Sequence, residues 1–382
     1  MLKYLSYRFV QWMVNTLPTA SAFHCAELLA DMQRCASTKD RHAVQANLSL
    51  ILGRPIPEDS PLVREAFRNF SRYLVEFFAS HRVQQPEVIL DGYEHLTDTL
   101  HRDRGAIVLT AHLGNWELLG VSLHRMGVPI TAVALPHDDP RMDRLFNQQR
   151  QRCGVRVIPL GPDAARRSLE ILRQGGVLGL LADREFANNG IRITLCGREV
   201  IFPRGPATVS LRSRSPAVPT FLIREGLWKF RLCCEPPIWP TVRGSVNASI
   251  QTLTQMYAAA IERHLKRFPD QWLVFQPLTQ NVDCGLRSAD CEPNTNPPSF
   301  ARSPALGRGG RRSEGVAAKS CYAEASQRPL RSSESEGGPC RQGNGEAEHG
   351  FGAVSPHGRP GRCHGLARGA PQSTVHIPHF AR

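Results

Sequence analysis

Between residues 105 and 278 short apolar runs alternate with amphipathic stretches, and this alternation restricts the fold more than any other feature of the chain. The runs AIVLT (106–110), ITAVAL (130–135), VRVIPL (155–160) and VLGLLA (177–182) have the length and β-rich composition of buried strands. Between them, residues 115–126 and 163–174 carry apolar side chains at helical spacing. Strands that alternate with helices must bury both sheet faces, which predicts an α/β fold with a mixed, mainly parallel central sheet flanked by helices. Further strands are expected at 191–196, 217–224 and 228–233, a long helix at 245–267, and a closing segment at 272–276.

The first hundred residues read as helices. Leu2, Leu5, Phe9 and Trp12 or Met13 recur at helical spacing, with Lys3 and Arg8 elsewhere on the helix. Val63, Phe67, Phe70, Leu74 and Phe77 recur in steps of three and four, and Arg64, Arg68 and Arg72 follow every fourth residue on the adjacent face. Such a helix suits either a lipid headgroup layer or a protein core with a charged solvated side. No run reaches the roughly 18 to 20 apolar residues that a spanning helix needs. The N-terminus has neither the apolar core nor the cleavage site of a secretory signal.

After Leu278 the composition changes: residues 279–382 hold 15 of the 31 glycines, 10 of the 29 prolines and only one isoleucine, Ile377. That chemistry cannot bury enough apolar surface to offset ordering entropy, so a disordered tail is expected, either a frameshifted or read-through end or a basic interaction tail. Three regions follow: an N-terminal helical membrane-associating region (1–100), an α/β core (101–278) and the tail (279–382). The net charge of +13 asks for an anionic partner. With no zinc-finger, helix-turn-helix or RNP pattern, an anionic membrane surface is favoured over nucleic acid. The 11 cysteines are scattered without a C-x-x-C pair, which gives no disulfide framework or zinc site and leaves a reducing compartment as the default.

Chemistry concentrates at Thr110-Ala111-His112-Leu113-Gly114-Asn115-Trp116-Glu117, where a strand ends and a helix begins. In open α/β sheets ligands bind beyond the carboxyl ends of the strands. A histidine there can face the crevice, and a carboxylate in the first helical turn can fold back to its other ring nitrogen. The bare His-x4-acid spacing carries no weight alone, since about one match is expected by chance in a chain of this composition.

The surrounding blocks decide the matter. AIVLTAHLGNWELLG (106–120) resembles the His-x4-acid block of the lysophospholipid acyltransferase superfamily. It is especially similar to the branch of late lipid A (lauroyl and myristoyl) acyltransferases and phosphatidylinositol mannoside acyltransferases. Further blocks follow in that family's order: RQRCG (150–154) with VIP (157–159), GLLADR (179–184), Gly197 with FPRGPA (202–207), AVP (217–219) and PDQW (269–272). The likeness spans roughly residues 1–278. Two positions depart from it: Leu195-Cys196-Gly197 stands where the family often has FFG, and Arg184 where lipid A enzymes commonly carry glutamine.

This resemblance implies an acyltransferase that moves a fatty acyl chain from an acyl carrier protein or coenzyme A thioester onto a lipid hydroxyl. His112 would be the general base, oriented by Glu117, with Arg150, Asp183, Arg184 and Arg204 binding substrate. Neither a metal nor a resident cofactor is implied, and the attack is direct, in keeping with the lack of a G-x-S-x-G elbow. The acceptor would be a membrane glycolipid such as a lipid A precursor, or a lysophospholipid. The protein would sit, peripheral or monotopic, on the cytoplasmic face of a bacterial inner membrane. Two other readings are a non-catalytic peripheral protein that binds anionic lipid, and a metal-dependent hydrolase with His112, Glu117 and Asp183 as ligands.

Overall fold

Central to the architecture is a strand that is apolar at nearly every position, β2 (Ala106–Thr110), all five of whose residues are buried. A strand with no polar face needs cover on both sides and neighbours on both edges. The computed structural model, which describes residues 2–82, 86–102, 105–186 and 189–278, supplies both. The side chains of Leu2 and Lys3 and the expected tail at 279–382 lie outside the described residues.

Parallel partners flank β2: β5 (Val177–Leu181) on one edge and β8 (Ala217–Gly226) on the other. Beyond β5 come β3 (Ile130–Ala134) and β4 (Arg156–Pro159), again parallel. Beyond β8, β9 (Lys229–Cys234) returns antiparallel, and β1 (Glu87–Asp91) pairs parallel to β9 at the edge. The seven-stranded order is β1-β9-β8-β2-β5-β3-β4, a mixed and mainly parallel sheet. A separate antiparallel hairpin joins β6 (Ile191–Leu195) to β7 (Arg198–Phe202). Its two-residue turn, Cys196-Gly197, holds both residues at positive φ, the geometry that lets strands twist without splaying.

Alternation along β2 splits the apolar interior into two layers. Ile107 and Leu109 face one layer, with Leu172 of α8 (Ala164–Arg173), Ala207 of α9 (Gly205–Ser213), and Leu253, Tyr257 and Ile261 of α10 (Val246–Arg267). Val108 faces the other, with Leu96 of α5 (Glu94–Leu100) and Leu118 and Val121 of α6 (Trp116–Arg125).

Four helices precede the sheet: α1 (Leu2–Thr16), α2 (Thr19–Ala36), α3 (Thr38–Leu52) and α4 (Pro61–Ala79). Starts and stops follow local chemistry. Ser37 and Ser60 cap α3 and α4 with their side-chain oxygens, Pro61 occupies the first turn of α4, and Gly53 ends α3 in the left-handed region. The apolar face of α4 does not meet lipid. Phe77 and Phe78 pack on Phe146 of α7 (Pro140–Arg152), and Val63 and Phe67 join α2 and α3 in a second cluster. Its arginines are occupied too: Arg64 and Arg68 both clasp Asp31, at 2.6 and 2.7 Å, and Arg72 binds Glu27 and Glu65. Of the two readings of this helix, the protein-core one holds.

Two strands escaped the sequence. Strand β1 lies within the stretch expected to be wholly helical; only three apolar residues separate Glu87 from Asp91, and β9 supports one edge alone. Strand β7 carries the mixed sequence REVIF and is held by its hairpin partner. Because Leu109 is fully buried in the middle strand, Leu109→Ala should lower the unfolding free energy by about 2–5 kcal/mol, checked by urea titration followed by tryptophan fluorescence.

Candidate active site

Strands β2 and β5 run parallel with Thr110 opposite Leu181. The residues two positions past each partner, His112 and Asp183, therefore leave the same edge of the sheet side by side. The Nδ1 of His112 lies 2.8 Å from Oδ1 of Asp183, and the backbone N–H of His112 donates to Oδ2 at 2.9 Å. The indole Nε1 of Trp272 donates to the same Oδ2, also at 2.9 Å. With Asp183 0% exposed, this carboxylate draws all its hydrogen-bond partners from the protein. Burial pushes its pKa up, but the charge of the His112 imidazole and the hydrogen bonds from His112 and Trp272 outweigh that, holding the carboxyl below its ordinary value.

The His112 side chain remains 17% exposed. A carboxylate accepting at Nδ1 keeps the proton there and leaves Nε2 as the lone-pair nitrogen. The ring is wedged edge-on against Trp116, centroids 4.9 Å apart, and Trp116 stacks on Tyr73 at 4.3 Å. Its backbone is pinned as well: Leu273 N–H donates to the His112 carbonyl at 2.7 Å, and Gly114 N–H donates to the Gln271 carbonyl at 2.9 Å. Gly114 has φ +64°, and a Cβ there would sit 2.1 Å from the carbonyl oxygen of Leu222, so only glycine brings the turn this close to β8.

The carboxylate of Glu117, expected beside the imidazole, is instead paired with Arg150. Both of its oxygens are taken by Arg150, whose Nε lies 2.9 Å from Oε2 and whose Nη2 lies 2.5 Å from Oε1. The first turn of α6 presents Glu117 to α7, from which the planar guanidinium meets it as a fork. Asp183, 71 residues away in sequence, has the place on Nδ1 expected for Glu117. Arg150 is also engaged, since its Nη1 donates to Asn147 at 2.8 Å. Burial alone would lower its pKa, but the adjacent Glu117 charge raises it. The three residues of the metal-hydrolase reading thus do not converge on one point, and among the described residues no group of three or more His, Cys, Asp or Glu forms a metal cage.

The remaining sequence candidates are spread out. Arg184, next to Asp183, bonds Gln276 at 2.5 Å and lies over the Phe186 ring; burial lowers its pKa. Arg204, just before α9, donates to Asn247 at 3.2 Å. Sequence reasoning assigned no role to Trp272, although the PDQW block that contains it was visible.

A depressed carboxyl pKa makes stability depend on pH with a definite sign. The contribution of Asp183 is complete above the ordinary carboxylate range near 4 and is lost as pH falls through the lowered folded value. Asp183→Asn should therefore unfold at lower denaturant than wild type at pH 7, and the gap should close as the pH falls below about 4. Denaturation series at several pH values check this.

Comparison with known proteins bears on the family. The profile of the family described as bacterial lipid A biosynthesis acyltransferase matches residues 1–280. A phosphatidylinositol mannoside acyltransferase of Mycolicibacterium smegmatis is 28% identical over 245 residues, covering 61% of this chain and 78% of that protein. One from Mycobacterium tuberculosis is 28% identical over 264 residues, covering 64% of this chain and 80% of its own length. This chain belongs to the bacterial lipid A biosynthesis acyltransferase family, and it is an enzyme that transfers acyl groups.

Proposed function

We propose that the enzyme moves a fatty acyl chain from a thioester of acyl carrier protein or coenzyme A onto a hydroxyl of a membrane glycolipid, with His112 as general base and Asp183 as its orienting carboxylate. The observation that carries this reading is the 2.8 Å contact that commits Nδ1 to Asp183 and leaves Nε2 free to take a proton. The acceptor hydroxyl gives its proton to Nε2 as its oxygen attacks the thioester carbonyl carbon. The tetrahedral intermediate then collapses, breaking the C–S bond, and the imidazolium returns the proton to the departing thiolate. No bond to the protein is made. Asp183 stabilises the imidazolium while it lasts.

The pair formed by Glu117 and Arg150 ties α6 to α7 and so braces the helix that leads out of the His112 turn. Arg184 and Arg204 are the cations we assign to phosphate groups of donor or acceptor, because a planar guanidinium suits phosphate. A glycolipid acceptor is supported by the family and by the named activity of the mycobacterial relatives. A lipid A precursor and a mannosylated lipid both fit. No resident cofactor takes part in this scheme.

The acceptor's chemistry places the enzyme at a membrane. Among the described residues no helix is long and apolar enough to cross one. Helix α1 instead exposes Leu5, Phe9 and Trp12 along one face, each at least half accessible, and α2 exposes Leu28, Leu29 and Met32. We assign these side chains to the lipid surface, with the protein peripheral on the cytoplasmic face of the bacterial inner membrane, where thioester donors are available. The net charge of +13 adds attraction to anionic headgroups.

Two outcomes are expected. His112→Ala should reduce turnover by about 10²-fold or more, and lipid mass spectrometry of an expressing host should lose the species one acyl chain heavier. An unchanged lipid profile would exclude His112 as the base. Replacing Leu5, Phe9 and Trp12 together by serine should weaken binding to anionic phospholipid vesicles at least about 10-fold, measured by co-sedimentation.

A further inference from the structure

Glu76 lies on α4, among residues that pack the helices, and is 0% exposed. A carboxylate out of water is tolerated only when its oxygens are matched by donors. Here three donors converge. Arg224 of β8 gives Nε to Oε1 and Nη2 to Oε2, both at 2.6 Å, and Asn115 gives Nδ2 to Oε2 at 2.7 Å. Asn115, itself fully buried, spends its other amide atom on the cap of α6, where Oδ1 accepts from Leu118 N–H at 2.9 Å. Its two ends thus join Glu76 to the first turn of the helix that follows His112.

A second route leaves Glu76 through Arg224. The backbone N–H and carbonyl of Arg224 are both held by the Gln271 side chain at 2.9 Å, and the Gln271 carbonyl accepts from Gly114. The next residue, Trp272, donates to Asp183, and Leu273 after it donates to the carbonyl of His112. One buried carboxylate is therefore wired to both sides of the His112–Asp183 pair. Apolar side chains in place of both Glu76 and Arg224 could join α4 to the sheet as well. What the ion pair adds is direction, since the carboxylate accepts from the Arg224 fork and from the Asn115 amide at set angles.

We propose that Glu76 is a positioning residue for acyl transfer: through Asn115 it sets the turn that aims His112 Nε2, and through Arg224 and Gln271 it sets the segment that holds Asp183. The proposal rests on the reading of His112 as the general base. It differs from simple packing in that its loss misdirects the base in a molecule that is still folded.

Asn115→Ser tests this best, because serine still caps α6 but lacks the amide N–H that reaches Glu76. Glu76→Gln, which turns one acceptor into a donor facing donors, is its companion. Both are made in the full chain and assayed with palmitoyl-coenzyme A and phosphatidylinositol mannoside. For Asn115→Ser we expect kcat to fall about 10- to 100-fold with KM little changed, as for a misplaced catalytic group. The ¹⁵N spectrum of His112, which needs no acceptor, should change from a single Nδ1–H tautomer to a mixture. Unaltered His112 signals, or turnover within about twofold of wild type in a folded variant, overturn the proposal even if the melting temperature drops. His112→Ala in the same assay separates the two claims: if it remains active the general-base reading fails, whereas the Asn115→Ser spectrum still decides the positioning role.

Discussion

The buried carboxylate of Asp183 is the interaction on which the arrangement depends. It is sealed from water, and its oxygens accept from the ring and backbone of His112 and from the indole of Trp272. Removing water from a carboxylate costs several kcal/mol, a cost these partners must offset. The three donors come from the end of β2 and from the segment after α10, and the acceptor from the end of β5, so satisfying one anion ties together parts of the chain far apart in sequence. The same bonds fix the tautomer of the imidazole. In the proposed mechanism, local stability and chemical competence have one cause.

The fold provides this anion with its neighbours through register. Parallel strands β2 and β5 stop opposite each other, and the chain on each side travels two residues further before placing its functional group. Gly114 then turns the His112 loop close against β8, at a φ that side chains avoid. The helices before the sheet contribute differently. Their aromatic side chains, Tyr73 above all, pack against Trp116 and limit where the imidazole can swing. Meanwhile Leu5, Phe9 and Trp12 stay in solvent, an uncommon outlay of apolar surface that a lipid interface would use.

Much of this was legible in the order of apolar runs. The strand ends at Thr110 and, one residue beyond the observed end, at Ala182 were visible, and the ordered blocks pointed to the family. The carboxylate that contacts the imidazole was not. Glu117 is five residues from His112 and attracted the role by proximity, whereas the carboxylate that contacts Nδ1 is set by strand register, and Glu117 is drawn to Arg150. Neither Arg150 closing on Glu117 nor Trp272 closing on Asp183 leaves a periodic trace. The arginines of α4 show the same limit: spacing displayed a charged stripe, but Asp31, Glu27 and Glu65, which neutralise it, lie on α2 and α4 itself in positions that only packing reveals.

In the proposed mechanism Asp183 acts through His112 and by no other path. Turnover of His112→Ala, Asp183→Asn and the double variant, measured with one thioester and one glycolipid acceptor, tests it most directly. The double variant is expected to be no slower than His112→Ala alone, because an orienting group has nothing left to orient. Losses that multiply would mean that Asp183 serves the reaction independently, and would contradict it.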